Sequence, residues 1–454
     1  MKQSFNVENF IKIYYDENRK GDYLDGRFTE FSELKDLGLE IKQINQNFRD
    51  KVYTTQEQKE SANQKKEELF KSKFDKLKII LSTVENKIDK KDYQISMDTK
   101  IIKGKTAYTF DRSNIETFFL FKQIQKNIQH SFKVKQADRN EIISQVVNML
   151  DNGFPKYIIR TDITSFYESI PHDELKKVIS RNHILSPLSK KVINEILRQY
   201  QSITGLDKGI PRGIGISAYL AELYMRDFDH DIKNLQNVTY YARYVDDIII
   251  IFTPNNKYES IDYLSLIKQC ILKTKLNLND KKTKEIDFFN MKSYTLEFLG
   301  YQINFNHIKK LEYEINLNLS HKKIRKYQRK IQSMINSYNF SSKFDERKAR
   351  KMMLQRLKYL TGNTRLLGVK KDILIGSYFS NQKLLKTNSL KKLDDYLYSK
   401  IDKHLEPYIK LTMDVNQLKL KLKILSFANG FEKKKFYKFS KKDLEKILSI
   451  WKNI

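Results

Sequence analysis

The chain contains one cysteine, Cys270, among 454 residues. That excludes an intramolecular disulfide and any zinc or iron–sulfur site built on cysteines. The lone thiol lies in an amphipathic helical pattern and reads as an inert core residue. The seven histidines are scattered, with no HExxH or paired spacing, which argues against a histidine-built metal site. There are six prolines, no Pro- or Gly-rich linker and no fixed-period repeat, so the domains are expected to pack against one another. No apolar run approaches the roughly 20 residues of a membrane span, and the opening "MKQSFNVENF" lacks the apolar core of a signal peptide. The expectation is a soluble, cytoplasmic protein with no membrane partner.

What is abundant is positive charge. Lys and Arg outnumber Asp and Glu by 85 to 55, a formal net charge of +30. An excess of that size points to a polyanionic partner, nucleic acid first. A Lys- and Asn-rich composition inherited from genomic base bias is the plainer alternative. With 40% hydrophobic and 12% aromatic residues, the chain can close a sizeable core.

Periodicity places the elements. Thr55 to Leu81 reads as a helix whose apolar stripe is Phe70, Phe74, Leu77 and Leu81. "KYIIRTD", ending at Asp162, reads as a short strand entering a turn. "SPLSKKVINEILRQY" is a helix with Ser186 as N-cap and Pro187 at its first position. A further helix is predicted from near Ser217 through "AYLAELYMRDFDHDI", another over Tyr258–Leu276, and short strands around "LEFLGYQINF". After Asn318 the pattern is helical to the end. In "SHKKIRKYQRKIQSMINSY", Ile324, Tyr327, Ile331, Met334, Ile335 and Tyr338 share one face, and Lys323, Arg325, Lys326, Arg329 and Lys330 share the other. A capping box from Ser440 to Asp443 opens the last helix, which ends near Trp451.

The stretch "YARYVDDIIIIF", Tyr241 to Phe252, sets Asp246 and Asp247 against four consecutive isoleucines. Burying carboxylates is costly unless something compensates them. Its β-formers suit a hairpin whose turn presents the acids. A divalent metal would compensate them, but magnesium needs a further oxygen ligand. Asp162, at the end of its own apolar strand, can supply one. Three such carboxylates suit two-metal phosphoryl transfer. Taken alone, an Asp-Asp turn reads as a solvated hairpin tip.

Several motifs in order resemble the palm of a reverse transcriptase, from about Arg139 to Tyr301. "RTDITSFYESIPHDEL" is similar to that family's motif A, "GIPRGIGISAYLAELY" to motif B and "YARYVDDIIIIF" to motif C. "NLNDKKT" resembles motif D, "LEFLGYQI" the primer-grip motif E, and "QADRNEII" the fingers motif, whose basic residue contacts the incoming triphosphate. The resemblance implies an α+β right-hand polymerase: fingers, an antiparallel-sheet palm, and a helical thumb with C-terminal region. The expected divisions are 1–155 (N-terminal helices and fingers), 156–310 (palm, with fingers elements inserted) and 311–454 (thumb and C-terminal domain).

Carried over by motif, Asp162, Asp246 and Asp247 become the catalytic metal ligands, joined by the backbone carbonyl of Ile163. They would hold two Mg2+ ions, with Mn2+ as an alternative. Tyr167 falls where the family keeps an aromatic gate against the ribose 2′-OH, beside Phe166; core packing is its plainer role. Lys282 aligns with a general acid for pyrophosphate, against the plainer reading of a solvated lysine. Arg139, Gly213 and Ser217 would line the nucleotide site, and Arg212, Gly215, Leu299 and Gly300 the template and primer. Gly209, Gly213 and Gly215 would allow close backbone approach to template and nucleotide. Two departures stand in motif B. Arg212 replaces the usual Gln, and Ser217-Ala218 replaces Ser-Pro, which puts ordinary template handling in question.

The ends of the chain narrow the resemblance. "QSFNVENFIKIYYDENRKG", "YLTGNTRLLGVKKDILIGSYFSN" and "GFEKKKFYKFSKKDLEKILSIW" resemble bacterial defence reverse transcriptases of the abortive-infection and unknown-group classes. Nearest is the first enzyme of antiphage systems that encode two reverse transcriptases and a noncoding RNA. The resemblance implies dNTP substrates, a DNA product, a structured RNA template, a second polymerase and homo-oligomerisation. No RNase H, integrase or HNH-type segment is recognisable. The alternatives are a template-independent or protein-primed DNA polymerase, an RNA-dependent RNA polymerase, and an inactive RNA-binding scaffold.

Overall fold

The computed structural model describes residues 3–452, apart from 21–22, 91–92, 103, 112, 134–136, 152–153, 155, 182–184, 255–260, 289–292, 310–311, 367–372 and 406–413. The chain forms two compact units. The first comprises Met1–Gln136, Ser165–Phe228 and Lys273–Leu276; the second comprises Ala137–Thr164, Asp229–Leu272 and Asn277–Ile454. Among the described residues no helix is long and apolar enough to cross a membrane.

Among its described residues the first unit is helical, with one hairpin. The helix predicted from Thr55 runs Gln56–Ile88, with Thr55 and Gln58 closing a capping box. Its buried stripe is Leu77, Leu81, Val84 and Ile88. Phe70 and Phe74, placed in the stripe by periodicity, are exposed, because the preceding turns are polar on every side and the apolar recurrence becomes continuous only from Leu77. Phe10 on helix Val7–Arg19 meets Phe119 on helix Ile115–Phe132 at a centroid distance of 5.4 Å, and Tyr14 meets Phe31 at 5.4 Å. The hairpin pairs β1 (Met97–Ile102) with β2 (Lys105–Phe110). Helix Pro187–Thr204 is capped by Ser186 with Pro187 in its first turn, as its sequence predicts. The next helix begins at Gly215 and stops at Tyr224, where the Met225 N–H turns to the Ala221 and Leu223 carbonyls; a separate helix, Arg226–Lys233, follows, its residues from Asp229 on belonging to the second unit.

The second unit is built on antiparallel sheets. β3 (Tyr157–Asp162), β4 (Val238–Tyr244), β5 (Asp247–Phe252) and β6 (Lys284–Asp287) lie in the order β4-β5-β3-β6. Ile248 to Ile251 on β5 are all fully buried, each contributing roughly 1.5–3 kcal/mol of hydrophobic stabilisation. That burial fixes the register and leaves the acids at the strand end. Helix Tyr263–Leu272 buries Cys270; the predicted start of this helix, at Tyr258, lies outside the described residues. A second sheet meanders through β7 (Ser293–Phe298), β8 (Tyr301–Lys309) and β9 (Glu312–Leu319).

Helix His321–Ser341 follows, capped by Ser320, and buries Ile331, Met334, Ile335 and Tyr338 as predicted. Lys323 departs from the expected basic face. Its Nζ crosses the Tyr301 ring at 5.3 Å and donates to the Ser380 carbonyl at 2.8 Å. Burial, with the Arg139 guanidinium nearby, pushes its pKa down to about 7. Between about pH 7 and 10 the unfolded chain therefore keeps a proton that the folded chain has released, and stability rises with pH. Below that window both states are protonated and the burial penalty is complete. A Lys323→Met variant is expected to remove this rise, so thermal melts of parent and variant should diverge most at and below about pH 7.

The chain is not helical throughout its last third. Helix Glu346–Thr361 stops at Gly362, and β10 (Asn363–Leu366) pairs with β11 (Ile373–Gly376). Asn363 is the reason. Its side chain, buried, donates to the Gly430 and Lys435 carbonyls at 3.1 Å each and accepts from the Tyr378 and Phe379 N–H groups at 2.9 and 3.3 Å. Its own N–H donates to the Lys435 carbonyl at 2.8 Å. Ser440 caps the helix Lys441–Leu448, as expected.

Candidate active site

β3 and β5 are register partners, which sets Asp162 directly opposite Asp247. Like charges facing each other across a ladder are destabilising, and Asp162 is only 3% exposed. The β4–β5 connection is Val245-Asp246, with Val245 at φ 61°. The Ile163 N–H donates to the Asp246 carbonyl at 3.1 Å, tying the end of β3 to that turn. On the other side, Asn279 N–H donates to the Asp162 carbonyl at 2.8 Å and Thr164 N–H to the Asn277 carbonyl at 3.0 Å, which brings the Lys282 segment alongside.

Cations answer the charge. Lys282 Nζ forms an ion pair with Asp162 Oδ2. Arg160 Nη2 donates to Asp247 Oδ1 at 2.8 Å while its Nη1 donates to the Lys282 carbonyl at 3.0 Å. Burial raises the Asp247 pKa; Arg160 opposes the shift, and the Asp246 and Asp162 charges add to it. Asp247 thus senses both neighbouring carboxylates. Asp162 Oδ1 is buried without a hydrogen-bond partner. Among the described residues, however, no group of three His, Cys, Asp or Glu side chains converges closely enough to hold a metal ion. The donor chemistry fits a hard divalent cation: adjacent carboxylates and one unsatisfied buried oxygen. In this conformation two of those acids face Lys282 and Arg160 instead.

Arg139, expected at the nucleotide, reaches the turn between β7 and β8. Its Nε donates to the Leu299 carbonyl at 2.7 Å and its guanidinium covers the Tyr301 ring at 5.2 Å. Leu299 and Gly300 take φ of 46° and 78° there. The structure therefore groups Arg139 with two residues expected at template and primer.

The remaining candidates lie in the first unit. Phe166 is buried at the start of the short helix Phe166–Ser169, and its ring meets that of Tyr167 at 5.5 Å. Arg212 lies over the Tyr167 ring at 5.6 Å and pairs with Glu168 through Nη2 at 2.7 Å. The positive charge at the departure from motif B is thus neutralised locally. Gly213, at φ +99°, lies against the Tyr108 carbonyl, which a β-carbon would approach to 2.7 Å. A β-carbon on Gly215 would meet Gln125. The close approach at both glycines is to the chain itself. Ser217 is buried and donates to the Pro211 carbonyl at 2.7 Å.

Sequence reasoning missed Arg160, Glu168, Asp229 and Arg243. Arg160 was open to it, since two residues before Asp162 on a strand means the same face. Asp229 and Arg243 become partners only through the fold: Arg243 donates from Nε to Asp229 Oδ1 at 2.8 Å and from Nη2 to Oδ2 at 2.7 Å.

With this geometry in place, residues 112–303 match the family model described as reverse transcriptase (RNA-dependent DNA polymerase). The chain carries a reverse-transcriptase-like domain over that stretch. No curated protein matches the sequence. Similar solved structures include apo telomerase from Candida tropicalis truncated from its C-terminal domain, 15% identical, with 49% of this chain and 54% of that chain covered and a TM-score of 0.35. Telomerase from Candida albicans in complex with a TWJ fragment of telomeric RNA is 13% identical over 75% of this chain and 56% of that one, TM-score 0.34. This chain thus spans little more than half the length of those two structures, and such distant superpositions add nothing to the assignment made by the family match.

Proposed function

We propose that this protein is an RNA-directed DNA polymerase. The observation that carries the reading is the pairing of Asp162 with Asp247 across β3 and β5, beside the Asp246 turn, inside a reverse-transcriptase-like domain. Asp162, Asp246 and Asp247 would hold two Mg2+ ions, with the Ile163 carbonyl and with Mn2+ as an alternative. Bound there, the ions would lower the pKa of an attacking 3′-hydroxyl and neutralise charge on the leaving pyrophosphate. Loading them requires Lys282 and Arg160 to give way. Lys282, released from Asp162, is then free to donate a proton to the leaving group. Residues 1–155, 156–310 and 311–454 serve as N-terminal helices with fingers, palm, and thumb with C-terminal domain.

The finer reading is a bacterial antiphage enzyme copying a structured noncoding RNA, alongside a second reverse transcriptase and further copies of itself. Its support is the charge of +30 and the resemblance of the terminal segments. The test is extension by purified protein with its co-purifying nucleic acid retained, supplied with Mg2+ and with dNTPs or NTPs separately. DNA synthesis abolished by RNase pretreatment is the expected result. RNase-resistant synthesis would favour the untemplated or protein-primed alternative, RNA made from NTPs the RNA polymerase, and no synthesis from any nucleotide the scaffold or an enzyme lacking its partner.

Tyr167 is the sugar gate in this reading, and Arg212 with Glu168 holds its ring. Removing a cation–π contact of this kind costs about 0.5–2 kcal/mol. Arg212→Gln is therefore expected to relax dNTP-over-NTP discrimination by about tenfold, and Tyr167→Ala by considerably more. Single-nucleotide incorporation with dNTP and NTP side by side reads both.

A further inference from the structure

We propose that Arg243 is a positioning residue that clamps the Val245-Asp246 turn in the geometry the acids need, an inference that rests on the polymerase reading. Val245 is β-branched and sits at φ 61°, a left-handed conformation that such residues rarely take. Strain of this kind persists only where the surroundings over-determine it. Arg243 supplies that constraint. Its side chain is 3% exposed, and its Nη1 donates to the Val245 carbonyl at 3.0 Å. The rest of the guanidinium grips Asp229 through the two bonds already described, and the Tyr241 hydroxyl donates to the same Asp229 Oδ1 at 2.6 Å. Tyr241 and Arg243 project from one face of β4, while Ala242 on the other face joins the buried core.

All the atoms involved belong to the second unit, so the clamp is complete within it. A bidentate guanidinium–carboxylate pair is rigid in a way that a lysine cannot reproduce. The guanidinium has donors enough to hold Asp229 with one edge and the strained carbonyl with another. Without it, Val245 is expected to relax toward negative φ, and the adjacent acids move with the peptide plane.

The experiment uses Arg243→Gln, Arg243→Lys and Val245→Gly, singly and combined, in the full chain. The readouts are primer-extension kcat and KM for dNTP, Mn2+ affinity by titration, and Tm. Arg243→Lys keeps a charge for Asp229 but cannot bond both partners, so its Tm should stay near the parent value while kcat falls about 10- to 100-fold. KM should change less than kcat, and Mn2+ affinity should weaken. Glycine takes positive φ without strain, so adding Val245→Gly should return most of the kcat and Mn2+ affinity lost in either Arg243 variant, without returning any lost Tm. Unchanged kcat and Mn2+ affinity in Arg243→Lys overturn the proposal. So does a loss that Val245→Gly leaves in place. A parent that binds Mn2+ but synthesises nothing overturns the polymerase reading alone, because Mn2+ affinity still tests the clamp. A parent that does neither overturns both.

Discussion

An Asp246→Asn, Asp247→Asn double variant is expected to lose DNA synthesis by at least about a thousandfold while melting no lower than the parent. Metal-centred stabilisation of a phosphoryl-transfer transition state is worth several kcal/mol, and amides are poor ligands for magnesium. The melting half of the expectation comes from the ladder. Asp247 faces Asp162 in register, and burial raises its pKa. A carboxyl whose folded pKa lies above its unfolded value costs stability once pH exceeds both, so a neutral isostere removes a penalty at neutral pH. The amide oxygen still accepts from Arg160. Primer extension and calorimetry on the same preparation check both halves. Lost activity with a melting temperature well below the parent's would make the pair structural.

The largest expected effect on stability is at Asn363. Asn363→Ala leaves the Tyr378 and Phe379 N–H groups and the Gly430 and Lys435 carbonyls without their side-chain partner. The Lys435 carbonyl keeps the Asn363 N–H and the Gly430 carbonyl keeps the Lys435 N–H at 3.2 Å, so the two N–H groups are the ones left unsatisfied. Each buried group left unsatisfied costs about 1–3 kcal/mol, and partial rescue by water lowers the sum. A loss of roughly 2–4 kcal/mol is expected, a fall of about 4–16 °C in melting temperature for a unit of this size. Asn363→Asp should fall at least as far at neutral pH, because it keeps the acceptor but sets a buried carboxylate oxygen against the Gly430 and Lys435 carbonyls. A fall of a degree or less would mean that the hairpin holds without its hub.

Much of this was legible in the sequence because local rules and burial agree there. The β3 strand, the Asp-Asp turn and the capped helix Pro187–Thr204 each follow from an apolar run meeting a turn or cap signal. The place of Asp162 at the end of β3 follows by the same logic. What compensates the acids was legible only in part: strand alternation puts Arg160 on the face of Asp162, but not against Asp247. Arg160 and Lys282 become counterions through strand register and the return of the Asn277–Thr283 segment, both long-range facts. The Asn363 hub was hidden for the same reason: it joins residues that resemblance had marked only as separate strings, near Gly362, Tyr378 and Gly430. Lys323 misled because its spacing fits the basic face while its length lets the ammonium run inward over Tyr301.

The packing of Trp451 gives the molecule a built-in optical probe. Its ring stacks on Tyr359 at 5.8 Å, lies under Lys330 Nζ at 5.4 Å and donates from Nε1 to the Lys330 carbonyl at 3.1 Å. As the chain has one tryptophan, all indole emission comes from the spot where the C-terminal turn meets helix His321–Ser341. That helix carries Arg325, Lys326 and Arg329 on its exposed side. Emission colour and quenching therefore follow undocking of the C-terminal turn without a label, and any polyanion that draws Lys330 away from the ring would register in the same signal.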